Sequence, residues 1–142
     1  LMLCGALLGV NVRIGCPQGF EPLPGVLEQA RSLAVQGASI EVIHDPREAV
    51  RGAQAVYTDV WASMGQEQEQ AEREQAFAGF CVDEDLMKEA GSGAVVLHCL
   101  PAHRGEEISP GVMESSASRI FDQAENRLHA QQALLAALMG GL

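Results

Sequence analysis

The chain has 142 residues, 47% of them hydrophobic, which is enough for one domain built on a single core. Its formal net charge of −10 speaks against nucleic acid or an anionic membrane surface as a partner, and it gives weight to the few arginines placed in ligand loops.

The opening stretch Leu1 to Val10 is apolar, has no basic run ahead of it, and is shorter than the roughly 20 residues a bilayer span needs. It reads as part of a core helix. Val10 to Ile14 forms a strand closed by Gly15-Cys16-Pro17. Leu23 to Gln36 is helical, with Pro24 near its start and Gly37 just past its end. Ser39 to Ile43 is the next strand, and Asp45-Pro46 opens a short helix across Glu48-Ala49-Val50. Gln54 to Thr58 is a third strand running into Asp59. Gln66 to Phe77 is a charged amphipathic helix, followed by a helical turn over Asp83 to Glu89. Ala94 to Leu97 is a fourth, buried parallel strand. Arg119 to Phe121 adds a short extended segment. A last helix runs from Ala124 to Leu138, with Leu128, Leu135 and Leu138 on one face. Strand and helix in alternation predict an α/β fold, a doubly wound parallel sheet with helices on both faces in the Rossmann manner.

Cys4, Cys16, Cys81 and Cys99 are widely spaced, with no CxxC pair. A chain with an ample core needs no disulfides, so the cysteines point to a reducing cytoplasm, with Cys4 and Cys81 as small apolar core residues. No GxGxxG appears, so nothing supports a dinucleotide cofactor, and no cofactor is expected.

The chemistry concentrates after the fourth strand, in His98-Cys99-Leu100-Pro101-Ala102-His103-Arg104-Gly105-Glu106-Glu107. A polar loop at the carboxyl end of a parallel strand is where open α/β sheets bind ligands. Asp59, at the end of the third strand, can receive a substrate ammonium; a helix N-cap is the competing role. Cys99 is either an inert buried thiol or a site residue beside the reacting amine. Arg127, read as lying in the first turn of the last helix behind a capping-box-like Asp122 to Glu125, suits an anion there, unless Glu125 or Glu107 neutralises it. His98, Cys99 and His103 are competent zinc ligands, but neighbours at a strand end point apart, and no metal is expected. Arg104 and Glu106 read as an ion pair bracing the loop, and His129 and Gln131 as support for the last helix. His44 reads as a turn residue.

Three segments together resemble the ornithine carbamoyltransferase family. They are the HCLPAHRGEE run, Tyr57-Thr58-Asp59-Val60-Trp61-Ala62-Ser63-Met64-Gly65, and Phe121-Asp122-Gln123-Ala124-Glu125-Asn126-Arg127-Leu128-His129-Ala130-Gln131. The resemblance implies transfer of a carbamoyl group from carbamoyl phosphate to the δ-amine of L-ornithine, giving citrulline and phosphate in arginine metabolism. It assigns Asp59, Ser63 and Met64 to ornithine, the last two through their backbone in a mobile lid. It assigns Cys99, Leu100 and Arg127 to carbamoyl phosphate, with Cys99 and Asp59 catalytic and no covalent intermediate. It further implies that residues 1–142 form the C-terminal, ornithine-binding domain. On this reading the family's preceding strand and the carbamoyl-phosphate domain are missing, and the parent is a cytoplasmic homotrimer. A sheet lacking a central strand would be unstable or prone to aggregate. The competing readings are a carbamoyltransferase for another amine, such as putrescine or an acylated ornithine, and a catalytically silent Rossmann-like module.

Overall fold

The computed structural model describes residues 1–62 and 69–140. In chain order its elements are α1 (Met2–Leu7), β1 (Val12–Gly15), α2 (Pro24–Ser32), β2 (Ile40–Ile43), α3 (Pro46–Val50) and β3 (Ala55–Thr58). There follow α4 (Gln70–Ala76), α5 (Glu84–Met87), β4 (Val95–His98), α6 (Pro110–Met113) and α7 (Ile120–Leu138). Strands alternate with helices, and every paired strand is parallel, as the sequence predicts. Among the described residues no helix is long and apolar enough to cross a membrane.

The sheet comes as two ribbons. β1 pairs with β2 from Val12↔Ile40 to Gly15↔Ile43, and β3 pairs with β4 from Ala55↔Val95 to Thr58↔His98. No described strand joins β1 to β3. A cleft of about 600 Å³ lies between them, lined by Asn11, Arg13 and Gly15 on one side and by Ala55, Tyr57 and Asp59 on the other. Val12 and Cys16 donate their amides to Ser39 and Ile43, so strand alternation turns the amides of Arg13 and Gly15 towards the cleft. Val95 donates to Gln54, and the same alternation turns Ala55 and Tyr57 towards it.

Each ribbon has its own core. Ala6, Ala30 and Ile40 are buried on the β1–β2 side, with Met2, Leu3 and Leu27 packed around them. Val56, Val82, Leu86, Val96, Ile108, Val112, Met113 and Ile120 form the larger core on the β3–β4 side. The short α3 spans the two. Its N-terminus is capped by Asp45, whose Oδ1 accepts from the amides of Arg47 (2.8 Å) and Glu48 (3.1 Å). At its other end the Arg13 guanidinium donates to the carbonyls of Glu48, Ala49 and Arg51.

Several boundaries differ from the sequence reading. α1 ends in a Schellman turn, with Gly9 at φ +73° and bonds from Gly9 to Ala6 and Val10 to Gly5. α2 stops at Ser32 rather than Gln36, because the Val35 amide donates to the Ala6 carbonyl of α1, a tertiary bond that ends the helix. α6 was absent from the sequence reading, although Ser109 caps it through Val112 and Pro110 opens it. Residues 117–119 do lie beside β4, with Val96 bonded to Ala117 and Arg119, but α7 already begins at Ile120. Cys4 is exposed and Cys81 half-buried, so neither is a core residue; Cys16 is the buried one. The expected apolar face of α7 has no cover among the described residues, with Leu128, Leu135 and Leu138 all exposed.

The two cleft-facing edges predict a pattern in amide exchange. Arg13, Gly15, Ala55 and Tyr57 should exchange faster than Val12 and Cys16 by about an order of magnitude or more. Equal protection on both edges of β1, measured by NMR, would contradict the split sheet.

Candidate active site

The site grows from the last residue of β4. His98 is completely buried, as is Glu107 nine residues on. The amide of Leu100 donates to His98 Nδ1 at 2.8 Å, which leaves the ring proton on Nε2, aimed at Glu107 Oε1 at 3.1 Å. Glu107 Oε1 also accepts from the amide of His103 at 2.6 Å. The Glu107 carbonyl accepts from Val82 at 2.9 Å, so both ends of the residue are tied down. Loop residues 99–103 are thus fastened at their start and finish to one buried pair. Removing Glu107 would strand one buried donor, the His98 ring N–H, at a cost of roughly 1–3 kcal/mol, and would release the part-buried His103 amide.

The loop turns sharply within that span. Leu100 has φ +59°, and the Leu100-Pro101 bond is cis. The turn presents Cys99 to the end of β3, where its Sγ donates to Asp59 Oδ1 at 2.9 Å. Burial raises the thiol pKa first, and the hydrogen bond and charge of Asp59 raise it further, so the sulfur is held as a thiol near neutral pH. The carboxylate is exposed and accepts also from the Val60 amide at 2.8 Å. Asp59 therefore stands at a strand end, facing both the cleft and the thiol, and caps no helix.

Two further residues join this pair, and neither was singled out from the sequence. Gln123 of α7 accepts from the His98 amide at 3.1 Å and donates to the Tyr57 hydroxyl at 3.3 Å. Tyr57 lines the same cleft as Asp59. The signal lay in spacing: Tyr57 precedes Asp59 by two on a strand, and Gln123 precedes Arg127 by four on a helix.

Arg127 is exposed, and among the described residues it pairs with neither Glu125 nor Glu107. It is the eighth residue of α7, two turns in rather than in the first turn, and Arg119 at the N-cap makes no side-chain cap. The helix dipole therefore adds little at its position, since that effect fades beyond the first turn. Arg104 pairs with Glu114 at 2.6 Å and Glu106 with His103 at 3.3 Å, in place of the expected Arg104–Glu106 pair. Among the described residues His129 reaches Glu125 alone, at 3.9 Å on the surface. His44 Nδ1 donates to the Cys16 carbonyl at 2.9 Å, and so does pin a turn. Ser63 and Met64 lie outside the described residues. The flanks of that stretch meet in an aromatic group, with Trp61 stacked on Phe77 and Phe77 edge-on to Phe20 and Phe80. Arg73 donates to the Trp61 carbonyl and lies over the Phe20 ring.

Ligand atoms of Asp59, His98 and Cys99 fall within 4.8 Å of one another, closer than strand alternation suggests, because the sharp turn at Leu100 bends the chain back. Both His98 nitrogens are already engaged, so metal binding there would break a buried hydrogen bond.

A parallel α/β domain with a thiol, a carboxylate and an arginine-bearing helix near its strand ends is a small-molecule-binding domain of the α/β class. Residues 1–138 match the aspartate/ornithine carbamoyltransferase Asp/Orn binding domain. The chain belongs to that family. It is 94% identical over all 142 residues to ornithine carbamoyltransferase of Parasynechococcus marenigrum strain WH8102, and 78% identical to that of Prochlorococcus marinus strain MIT 9313. The chain covers 45% of each of those relatives' lengths. The solved structure of ornithine carbamoyltransferase from Pyrococcus furiosus is 50% identical, with a TM-score of 0.92 over 99% of this chain and 45% of that one.

The Asp59–Cys99 contact predicts a reactivity change. In Asp59→Asn the thiol loses a carboxylate that holds its proton, so the pH midpoint of Cys99 alkylation should fall. At neutral pH the rate should rise about threefold per unit of that fall. An unmoved midpoint, read on the Cys99 peptide by mass spectrometry, would separate the two residues.

Proposed function

We propose that this chain forms the amino-acid side of a carbamoyl-transfer site, taking L-ornithine to L-citrulline with carbamoyl phosphate as donor. The observation that carries the reading is the Asp59–Cys99 pair at 2.9 Å, joining the ends of β3 and β4 where the substrate amine would arrive. Family membership supports the same chemistry.

In this mechanism Asp59 holds the incoming ammonium by charge-assisted hydrogen bonds and draws off a proton as the amine becomes nucleophilic. The nitrogen forms a bond to the carbamoyl carbon, the carbon–oxygen bond to phosphate breaks, and phosphate leaves with that electron pair. Cys99, kept protonated, contacts the amine as a polar neighbour and forms no covalent bond. Leu100 offers its carbonyl to the carbamoyl amide group. Arg127, without an ion-pair partner among the described residues, polarises the carbamoyl oxygen. Ser63 and Met64 meet the amino acid's carboxylate through backbone amides. Positioning supplies much of the acceleration, since well-oriented groups reach effective molarities of about 10⁵–10⁸ M.

The domain reading follows. Residues 1–142 act as the ornithine-binding domain, and the carbamoyl-phosphate domain lies in the remaining length that full relatives have. The strand that the family resemblance expects ahead of α1 fits the cleft between β1 and β3. At about 3.3 Å rise, 4.8 Å strand spacing and 10 Å layer depth, a strand residue occupies about 160 Å³, so the cleft takes about four residues. The neighbouring strands are four residues long. Assembly of the whole protein as a homotrimer in the cytoplasm belongs to the same proposal.

In the whole protein, Asp59→Ala should reduce citrulline formation at least about 100-fold while sparing carbamoyl-phosphate affinity. Arg127→Ala should weaken carbamoyl phosphate first. Turnover with putrescine or N-acetylornithine but not ornithine would overturn the substrate assignment, and no turnover with any amine would favour a silent module.

A further inference from the structure

We infer that Arg73 is a positioning residue for the amino-acid substrate, clasping the chain where it leaves the end of β3 and where it returns in α4. The inference rests on ornithine as the substrate, and it adds to the site a residue that acts through its neighbours.

The clasp is one guanidinium with three partners. Its Nη1 donates to the Trp61 carbonyl at 3.3 Å, while Nε and Nη2 fork onto Glu69 Oε2 at 3.1 and 3.0 Å. Its central carbon lies over the Phe20 ring, 5.4 Å from the centroid. The i,i+4 spacing from Glu69 is that of an ordinary surface pair, which alone is worth little. Here, however, the Arg73 side chain is only 23% exposed against 55% for Glu69. The carbonyl and the ring draw it inward, and neither belongs to α4. A planar fork can serve all three partners at once, and a lysine ammonium cannot.

Those partners come from both sides of the cleft. Phe20 follows β1, in a turn closed by its own amide on the Pro17 carbonyl at 3.2 Å. Trp61 follows β3, and its ring stacks on Phe77, four residues beyond Arg73, which meets Phe20 edge-on. Asp59, Trp61 and Arg73 all line the cleft. The Asp59–Cys99 contact needs only β3 and β4, so Arg73 leaves it alone. What the guanidinium sets is the heading of the chain beyond Val60, whose amide already donates to Asp59 at 2.8 Å. Its charge is taken up by Glu69, so it offers no free cation to a substrate carboxylate. An amino acid whose ammonium rests on Asp59 meets the Trp61 segment next, and its affinity depends on that heading.

The test is steady-state kinetics of the whole protein, joined to acrylamide quenching of Trp61, the one tryptophan of the 142-residue chain, with circular dichroism as a fold check. Arg73→Ala should raise the ornithine KM about tenfold, the worth of one charge-assisted hydrogen bond, while kcat and the carbamoyl-phosphate KM move less than about threefold. Quenching of Trp61 should increase, and the pH midpoint of Cys99 alkylation should stay where it is. Arg73→Lys should keep most of the KM rise. Glu69→Ala should raise the same KM, and it should add little in the Arg73→Ala background. Additive effects, a wild-type KM in Arg73→Lys, or a fall in kcat with an unmoved ornithine KM would each overturn the clasp. Should the whole protein carbamoylate some other amine, the ornithine reading fails by itself, and unchanged Trp61 quenching in Arg73→Ala then overturns the inference as well.

Discussion

The buried hydrogen bond between His98 and Glu107 is the constraint on which the site depends. Two polar groups without solvent access share a hydrogen bond through Glu107 Oε1, across a loop that has to start and end at fixed points, while Glu107 Oε2 has no partner among the described residues. His98 is tied to β4, and Glu107 is tied to Val82 through its carbonyl. Between them the chain has little room, and Cys99 is pressed towards the end of β3. The thiol–carboxylate contact is thus a consequence of packing below it, at core depth, rather than of attraction between two exposed groups. A surface pair alone is worth about 0–1 kcal/mol and would not hold a loop in one conformation.

The rest of the fold bears on this point unevenly. The larger core lies beneath β3, β4 and α6 and directly supports the pair. The smaller core beneath β1 and β2 sits across the cleft and reaches the site chiefly through α3. That division explains how a chain with a split sheet still presents a well-defined Asp59–Cys99 geometry. Everything that defines the geometry sits on one ribbon, with α7 clamped to it by Gln123.

Much of the framework was legible in the sequence because it is written in local rules. Alternating apolar strands and the Asp45-Pro46 and Pro24 starts each carry their own signal. Asp59 and Cys99 were readable because strand ends and an unusual polar run coincide. What escaped depends on distant partners. α2 ends early because of a carbonyl on α1, a bond no window of sequence contains. α7 starts four residues before the expected Ala124, since Ile120 is drawn into the core under β4. That shift places Arg127 two turns into the helix, where the dipole adds little. His98 and Glu107 are nine residues apart in a loop with no period, so sequence spacing does not pair them. The leucines of α7 have helical spacing, but spacing does not say whether anything covers them.

The central claim is that a buried imidazole, with its proton on Nε2 and its Nδ1 accepting from the Leu100 amide, fastens the Cys99 loop. Long-range ¹H–¹⁵N NMR of the His98 ring measures that arrangement directly. The account predicts an Nε2–H tautomer whose proton exchanges slowly with solvent and couples to the Glu107 carboxylate environment. An Nδ1–H tautomer, or a ring proton that exchanges as fast as that of exposed His129, would contradict it.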